Sequence, residues 1–174
     1  GAEGSYILDR RGKRYLDFVM GWCVGNAGWN KREILKAMRG FKGPVYAMPT
    51  LGYKRWEDLA AKLVSLLPAK KGTCFRATGG TEAVELALKI ARAHNRRKKF
   101  IAFTDAYHGQ SFMALGLVGL HEQKFGPYPD WFVRLDYTNW AKATEQAVKA
   151  IRSKEVCAFI SEPILCNLGV ILPP

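Results

Sequence analysis

The run Thr78-Gly79-Gly80-Thr81-Glu82-Ala83-Val84-Glu85 sets two glycines between an apolar stretch and an amphipathic one, and the chemistry of such a junction is anion binding. A helix that starts here leaves the amides of Gly80 and Thr81 without intrahelical carbonyls, pointing outward where the helix dipole is positive. Glycine lets an anion approach the backbone, and the Thr81 hydroxyl adds a donor. Glu82 and Glu85 fall in the first turns, where carboxylates suit a helix start. Taken alone, the same pattern also describes a helix that is simply well capped.

Two other groups follow apolar runs: Asp105-Ala106-Tyr107-His108-Gly109 and Glu162-Pro163. Tyr107 beside His108 suggests a flat cofactor ring stacked on the tyrosine, with its phosphate at Gly80 and Thr81. The plainer readings are a core tyrosine with a wet hydroxyl and a hydrogen-bonded loop histidine. No G-x-G-x-x-G follows a strand and no G-x-x-x-x-G-K-S/T occurs, so a phosphate ligand smaller than a dinucleotide or triphosphate fits better. Cys23, Cys74, Cys157 and Cys166 form no C-x-x-C pair and no zinc spacing with the histidines, so reduced thiols and no metal are expected. Cys74 and Cys157 lie in predicted buried strands, as small hydrophobes.

The elements that must position these residues are legible as alternation. Strands are predicted at 73–77, 100–104, 132–135 and 156–161, and helices at 81–94, 111–117 and 140–151, the last capped by Thr138 or Asn139. Strand and helix in turn predict an α/β fold with a mostly parallel sheet flanked by helices, and ligands in such sheets sit outside the carboxyl ends of the strands. All three groups fall there. Ahead of this region, 5–8 and 14–18 read as an N-terminal β-hairpin around Asp9-Arg10-Arg11-Gly12-Lys13. A glycine-rich apolar stretch over 20–28, a short helix over 31–39 and a Gly/Pro loop to Thr50 follow. Trp56, Leu59, Ala60, Leu63, Val64 and Leu67 recur at helical spacing and predict a core-facing helix stopped by Pro68. The expected division is an N-terminal segment over 1–50 and a larger, incomplete domain over 51–174.

Composition bounds the partners. The chain has 174 residues, 48% of them hydrophobic, and a formal net charge of +12. No apolar stretch approaches the ~20 residues that cross a bilayer, and the first residues do not resemble a signal peptide, so a cytoplasmic protein without a membrane partner is expected. The positive charge raises nucleic acid as a rival partner. Its one dense run, Arg96-Arg97-Lys98-Lys99, coincides with a predicted helix end, where cations complement the dipole, so no nucleic-acid partner is expected.

With these residues in place, the chain resembles the class III aminotransferases and aminomutases, pyridoxal-phosphate enzymes of fold type I. The likeness spans nearly the whole sequence. Its ordered landmarks are Tyr15-Leu16-Asp17-Phe18, Gly21 through Asn26-Ala27-Gly28, the glycine turn with Glu82, Ala83 and Glu85, then Tyr107-His108-Gly109, and Ser161-Glu162-Pro163-Ile164 with Gly169-Val170-Ile171. The resemblance implies that pyridoxal 5'-phosphate is the cofactor. Gly80 and Thr81 would bind its phosphate, Tyr107 would stack on its ring with His108 alongside, and Glu162 would be a buried carboxylate nearby, although a structural acid at a strand end has the same sequence. Trp22 is similar to a residue lining the substrate pocket in some members, or packs in a dimer interface. The implied substrates are a small-molecule amine or amino acid and an oxo acid, and the implied assembly of the full-length parent is a homodimer.

The departures are equally specific. Many members continue after Glu-Pro with Gln-Gly-Glu, whereas this chain has Leu165-Cys166-Asn167. Asn167 is a second substrate-pocket candidate and resembles the glutamate-semialdehyde aminomutase branch, while Trp22-Cys23 resembles the amine transaminases. Trp29 stands where the family usually has histidine. In the family, a lysine that holds the cofactor covalently and an aspartate that pairs with its pyridine nitrogen lie well downstream of Glu-Pro. Both are expected beyond Pro174, so no catalytic residue is assigned within the chain, which reads as a portion of a longer enzyme, inactive alone.

Overall fold

The computed structural model describes residues 1–44, 48, 50–119 and 122–173, leaving part of the predicted loop to Thr50 outside the described residues. Two compact units are present, Gly1–Glu57 and Asp58–Pro174, and the division falls inside one helix.

In the first unit, β1 (Ala2–Glu3), β2 (Tyr6–Leu8) and β3 (Arg14–Leu16) form an antiparallel sheet in which Tyr6 faces Leu16 and Leu8 faces Arg14. The hairpin closes because Asp9 accepts the amides of Arg11 and Lys13 at 2.8 and 3.0 Å, while Gly12 takes the left-handed φ of 79° that the turn demands. A short turn, α1 (Met20–Cys23), is left-handed throughout, with φ of 47° at Met20, 62° at Gly21, 68° at Trp22 and 63° at Cys23. Three of these residues carry a Cβ, so the turn holds roughly 1–2 kcal/mol of strain at each. Helix α2 (Arg32–Arg39) follows as predicted.

Helix α3 (Lys54–Leu66) also forms, but its apolar face does not enter a core. Trp56, Ala60 and Val64 are half-buried while Leu59, Leu63, Leu66 and Leu67 are exposed. The helical period sets which residues share a face; it does not supply the surface that covers them.

The second unit centres on a three-stranded sheet in the order β5-β4-β6, all parallel, built from β4 (Lys99–Phe103), β5 (Phe132–Leu135) and β6 (Val156–Phe159). Phe100, Ile101, Ala102 and Phe103 of the central strand are each at most 6% exposed, as an unbroken apolar strand covered on both faces should be. Phe100 alone contributes about 1.5–3 kcal/mol by burial. Around the sheet stand α4 (Gly80–Asn95), α5 (Phe112–Val118), the short α6 (Glu122–Phe125) and α7 (Trp140–Arg152). Helix α5 is buried from Ala114 to Val118, with Ser111 capping its start; Asn139 caps α7 by accepting the Lys142 amide at 3.0 Å. Phe103 meets Trp140 and Phe159 edge-on at 5.3 and 5.6 Å.

One predicted strand is absent. Residues 73–77 are irregular, Phe75 is 60% exposed, and Cys74 is half-buried outside any strand, its thiol directed at the Ala60 carbonyl at 3.7 Å. A strand exists only with a ladder partner, and among the described residues neither β5 nor β6, the edges of the sheet, pairs with this segment. Cys157 of β6 is buried as expected, and burial pushes its thiol pKa up.

Candidate functional site

Helix α4 begins where the sequence placed it, with Gly79 as N-cap in extended conformation and no side chain of its own to cover the helix start. The Ala83 amide bonds the Gly79 carbonyl at 3.0 Å, while the amides of Gly80 and Thr81 have no backbone acceptor among the described residues. A Cβ at Gly79 or Gly80 would meet nothing within 4 Å, so both open onto free space. The Glu82 carboxylate folds back to the amide and hydroxyl of Thr78, and those bonds, led by the hydroxyl, hold its pKa below the usual carboxylate range. Both bonds fall on Oε2, so that oxygen is committed to the preceding turn.

The loop after β4 lies directly against this helix start. Gly109 has φ of 125°, and a Cβ there would sit 2.5 Å from Thr81 Oγ1 and 3.0 Å from Thr81 Cα. Thr81 Oγ1 accepts the amide of Gln110 at 3.3 Å, which leaves its own hydrogen available to a ligand. Tyr107 is half-buried just upstream. His108 is 8% exposed, and its Nε2 is buried without a hydrogen-bond partner. Burial lowers the His108 pKa, with the Glu162 carboxylate pulling the other way. Among the described residues nothing bonds this nitrogen, an arrangement that costs about 1–3 kcal/mol unless another group does.

Glu162, at the end of β6, ties the third group in. Its Oε1 accepts the Tyr107 amide at 2.9 Å and its Oε2 accepts the Cys166 amide at 3.2 Å. Asn167 sits on a short 3-10 turn (Cys166–Leu168), exposed, and its Nδ2 donates to the Asp105 carbonyl at 3.2 Å. Asp105 itself is left-handed, with φ of 58°, so Asn167 braces a strained corner. The glycine turn, the Tyr107-His108 loop and Glu162 therefore meet at the carboxyl end of the parallel strands. Sequence did not reveal Ser111 Oγ donating to Glu85 Oε1, since it joins residues 26 positions apart.

Trp22 belongs to the first unit, 63% exposed on the left-handed turn. The turn is held by Asp17, whose Oδ1 accepts the amides of Val19 and Met20 at 3.0 and 2.9 Å, and whose Oδ2 accepts Trp29 Nε1 at 2.8 Å. These bonds, the Met20 amide first, hold the Asp17 carboxyl below its ordinary range. Trp29, the departure from the family pattern, also covers Gly21, where a Cβ would come within 2.9 Å of the indole. No group of residues suited to a metal ion occurs among the described residues, and none of their helices is long and apolar enough to cross a membrane.

An open helix N-terminus, a half-buried tyrosine and an unmet histidine nitrogen at the ends of parallel strands define an α/β fold suited to an anionic, ring-bearing ligand. The chain matches the family described as Aminotransferase class-III over residues 1–174, and it belongs to that family. It is 33% identical over 172 residues to a putative LysW-aminoadipate semialdehyde/glutamate semialdehyde transaminase of Pyrococcus horikoshii, covering 97% of this chain and 45% of that protein. It is 29% identical over 181 residues to a glutamate-1-semialdehyde 2,1-aminomutase of Sulfurisphaera tokodaii, covering 99% of this chain and 42% of that one. Among solved structures, an amine transaminase from an uncultivated Pseudomonas species in its PLP-bound form superposes with a TM-score of 0.85 at 25% identity, covering 100% of this chain and 46% of that chain. The sequence thus spans a little under half the length of these relatives.

Proposed function

We propose that the chain carries the cofactor-seating portion of a pyridoxal-phosphate-dependent aminotransferase that moves an amino group between a small amine or amino acid and an oxo acid. The single observation that carries this reading is the direct apposition of the open α4 start to the Tyr107-His108 loop, with a Cβ at Gly109 excluded by Thr81 at 2.5 Å. The residues present fit the cofactor. Gly80 and Thr81 would hold the phosphate through backbone amides and the Thr81 hydroxyl. Tyr107 would cover the ring, and the unmet His108 Nε2 would find its partner on the ligand. Glu162 would act through the Tyr107 amide it accepts, keeping that loop at the ring.

When bound, pyridoxal phosphate supplies an electron-accepting ring and a carbonyl that exchanges amino groups. The chain's own residues bind and orient it, and this positioning sets the reacting face. The covalent lysine and the pyridine-pairing aspartate that the family uses have no counterpart motif in these residues, so proton transfer belongs to the whole parent enzyme. A homodimeric, cytoplasmic parent completes the reading, with Trp22 and Asn167 as candidate pocket residues. An aminomutase is a second reading, favoured by Asn167 in place of the Gln-Gly-Glu run and by the similarity to the Sulfurisphaera tokodaii enzyme.

Equilibrium dialysis of the chain against pyridoxal phosphate and against pyridoxal tests the phosphate seat. Pyridoxal should bind at least about tenfold more weakly, the loss of roughly one charge-assisted contact. Equal binding of the two would place any affinity away from Gly80 and Thr81.

A further inference from the structure

Beside the anion seat, a second set of contacts joins α4 to the loop after β4. Ser111 Oγ donates to Glu85 Oε1 and also accepts the Ala114 amide at 3.2 Å as N-cap of α5. Between Ser111 and Tyr107 lie Gly109, packed so closely on Thr81 that an added Cβ would sit 2.5 Å from its Oγ1, and Gln110, whose amide donates to Thr81 Oγ1. Glu85 is half-buried, so its carboxylate has given up part of its hydration for a neutral hydroxyl partner. That exchange is weak as a source of stability alone, because a solvated carboxylate at a helix start already interacts favourably with the dipole. What the arrangement does supply is a fixed register between helix start and loop.

We propose that Glu85 and Ser111 are positioning residues that latch the Tyr107-His108 loop to the first turns of α4. The anion seat and the ring-covering tyrosine are then held as one rigid unit. This rests on the cofactor reading above. A ligand with both a phosphate and an aromatic ring engages two parts already aligned and spends little on ordering the loop, whereas inorganic phosphate uses the helix start alone.

The latch is tested on the full chain with Glu85→Ala, Glu85→Gln and Ser111→Ala. Loss of a hydrogen bond to a charged group should weaken pyridoxal phosphate binding about tenfold in Glu85→Ala, while inorganic phosphate changes by less than about twofold. Glu85→Gln keeps an acceptor oxygen and should restore both the affinity and the visible circular dichroism of the bound ring. Ser111→Ala should follow Glu85→Ala. An equal loss for both ligands, or a failure of Gln to rescue, overturns the latch. Hydrogen exchange of the ligand-free chain reads the same contact without cofactor, and the Gln110 amide should lose protection in Glu85→Ala and regain it in Glu85→Gln. Unchanged protection overturns the latch while leaving the cofactor reading intact. A parent chain that binds neither ligand, yet shows the protection change, overturns the cofactor reading and with it the positioning role.

Discussion

His108 concentrates the electrostatics of the site in one ring. It is 8% exposed, with an unpartnered Nε2, and desolvation holds its pKa below the ordinary 6.5 while Glu162 partly opposes the shift. The unfolded chain therefore binds more protons than the folded one at pH below about 6.5, and stability rises with pH through that window. The contribution is fully present above 6.5 and is lost as the pH falls beneath it. Urea midpoints between pH 7.5 and 5.5 should decline, and His108→Gln should flatten the decline; an equal slope in both proteins would assign it to other groups. A neutral imidazole is also the form able to accept or donate at Nε2, as a ligand requires. The histidine was legible as a candidate from its neighbours Tyr107 and Gly109, but its burial was not. That depends on chain distant in sequence, since the loop residues on either side of it meet Thr81 and Glu162.

Helix α5 shows what an element must satisfy to position that loop. It is buried over Ala114–Val118, and Gly116 packs so closely on the Phe132 ring of β5 that an added Cβ would overlap the ring. Gly116→Ala should therefore destabilise the second unit by about 1–3 kcal/mol through overpacking, although alanine is the better helix former. A urea midpoint that rises instead would mean the ring yields freely. Most elements were legible because their signals are local: the period of α7 with Asn139 at its start, the unbroken apolar run of β4, the turn at Asp9 to Lys13. Three features were not. Residues 73–77 have a strand's composition but no ladder partner, since pairing is decided by distant chain. The face of α3 has the right period but only partial cover among the described residues, with Leu59, Leu63 and Leu66 left exposed. The left-handed turn at Met20–Cys23 is set by Asp17 and Trp29, and only one of its residues, Gly21, hints at a positive φ.

At the scale of the whole molecule, the distribution of amines limits what the chain does with an aldehyde cofactor. A lysine that attacks a carbonyl near neutral pH must be neutral, which proteins achieve by desolvating it or placing it beside another cation. Every lysine here is exposed except Lys99, which is half-buried and paired with Glu155 at 2.6 Å. That bond raises the Lys99 pKa, the opposite of activation, and Lys99 opens β4 at the end of the strand away from the Tyr107 loop. Pyridoxal phosphate held at the proposed seat of Gly80 and Thr81 would thus find no poised amine among the described residues, and reaction would be left to exposed lysines in competition with one another. Borohydride reduction of the mixture, followed by peptide mapping, should find label spread over several lysines and well below one equivalent at any of them. Glycine added before reduction should compete equally at all of them. Stoichiometric label on a single lysine that resists glycine would show that one of these amines is activated, and the separation between seating and chemistry argued for this chain would fail.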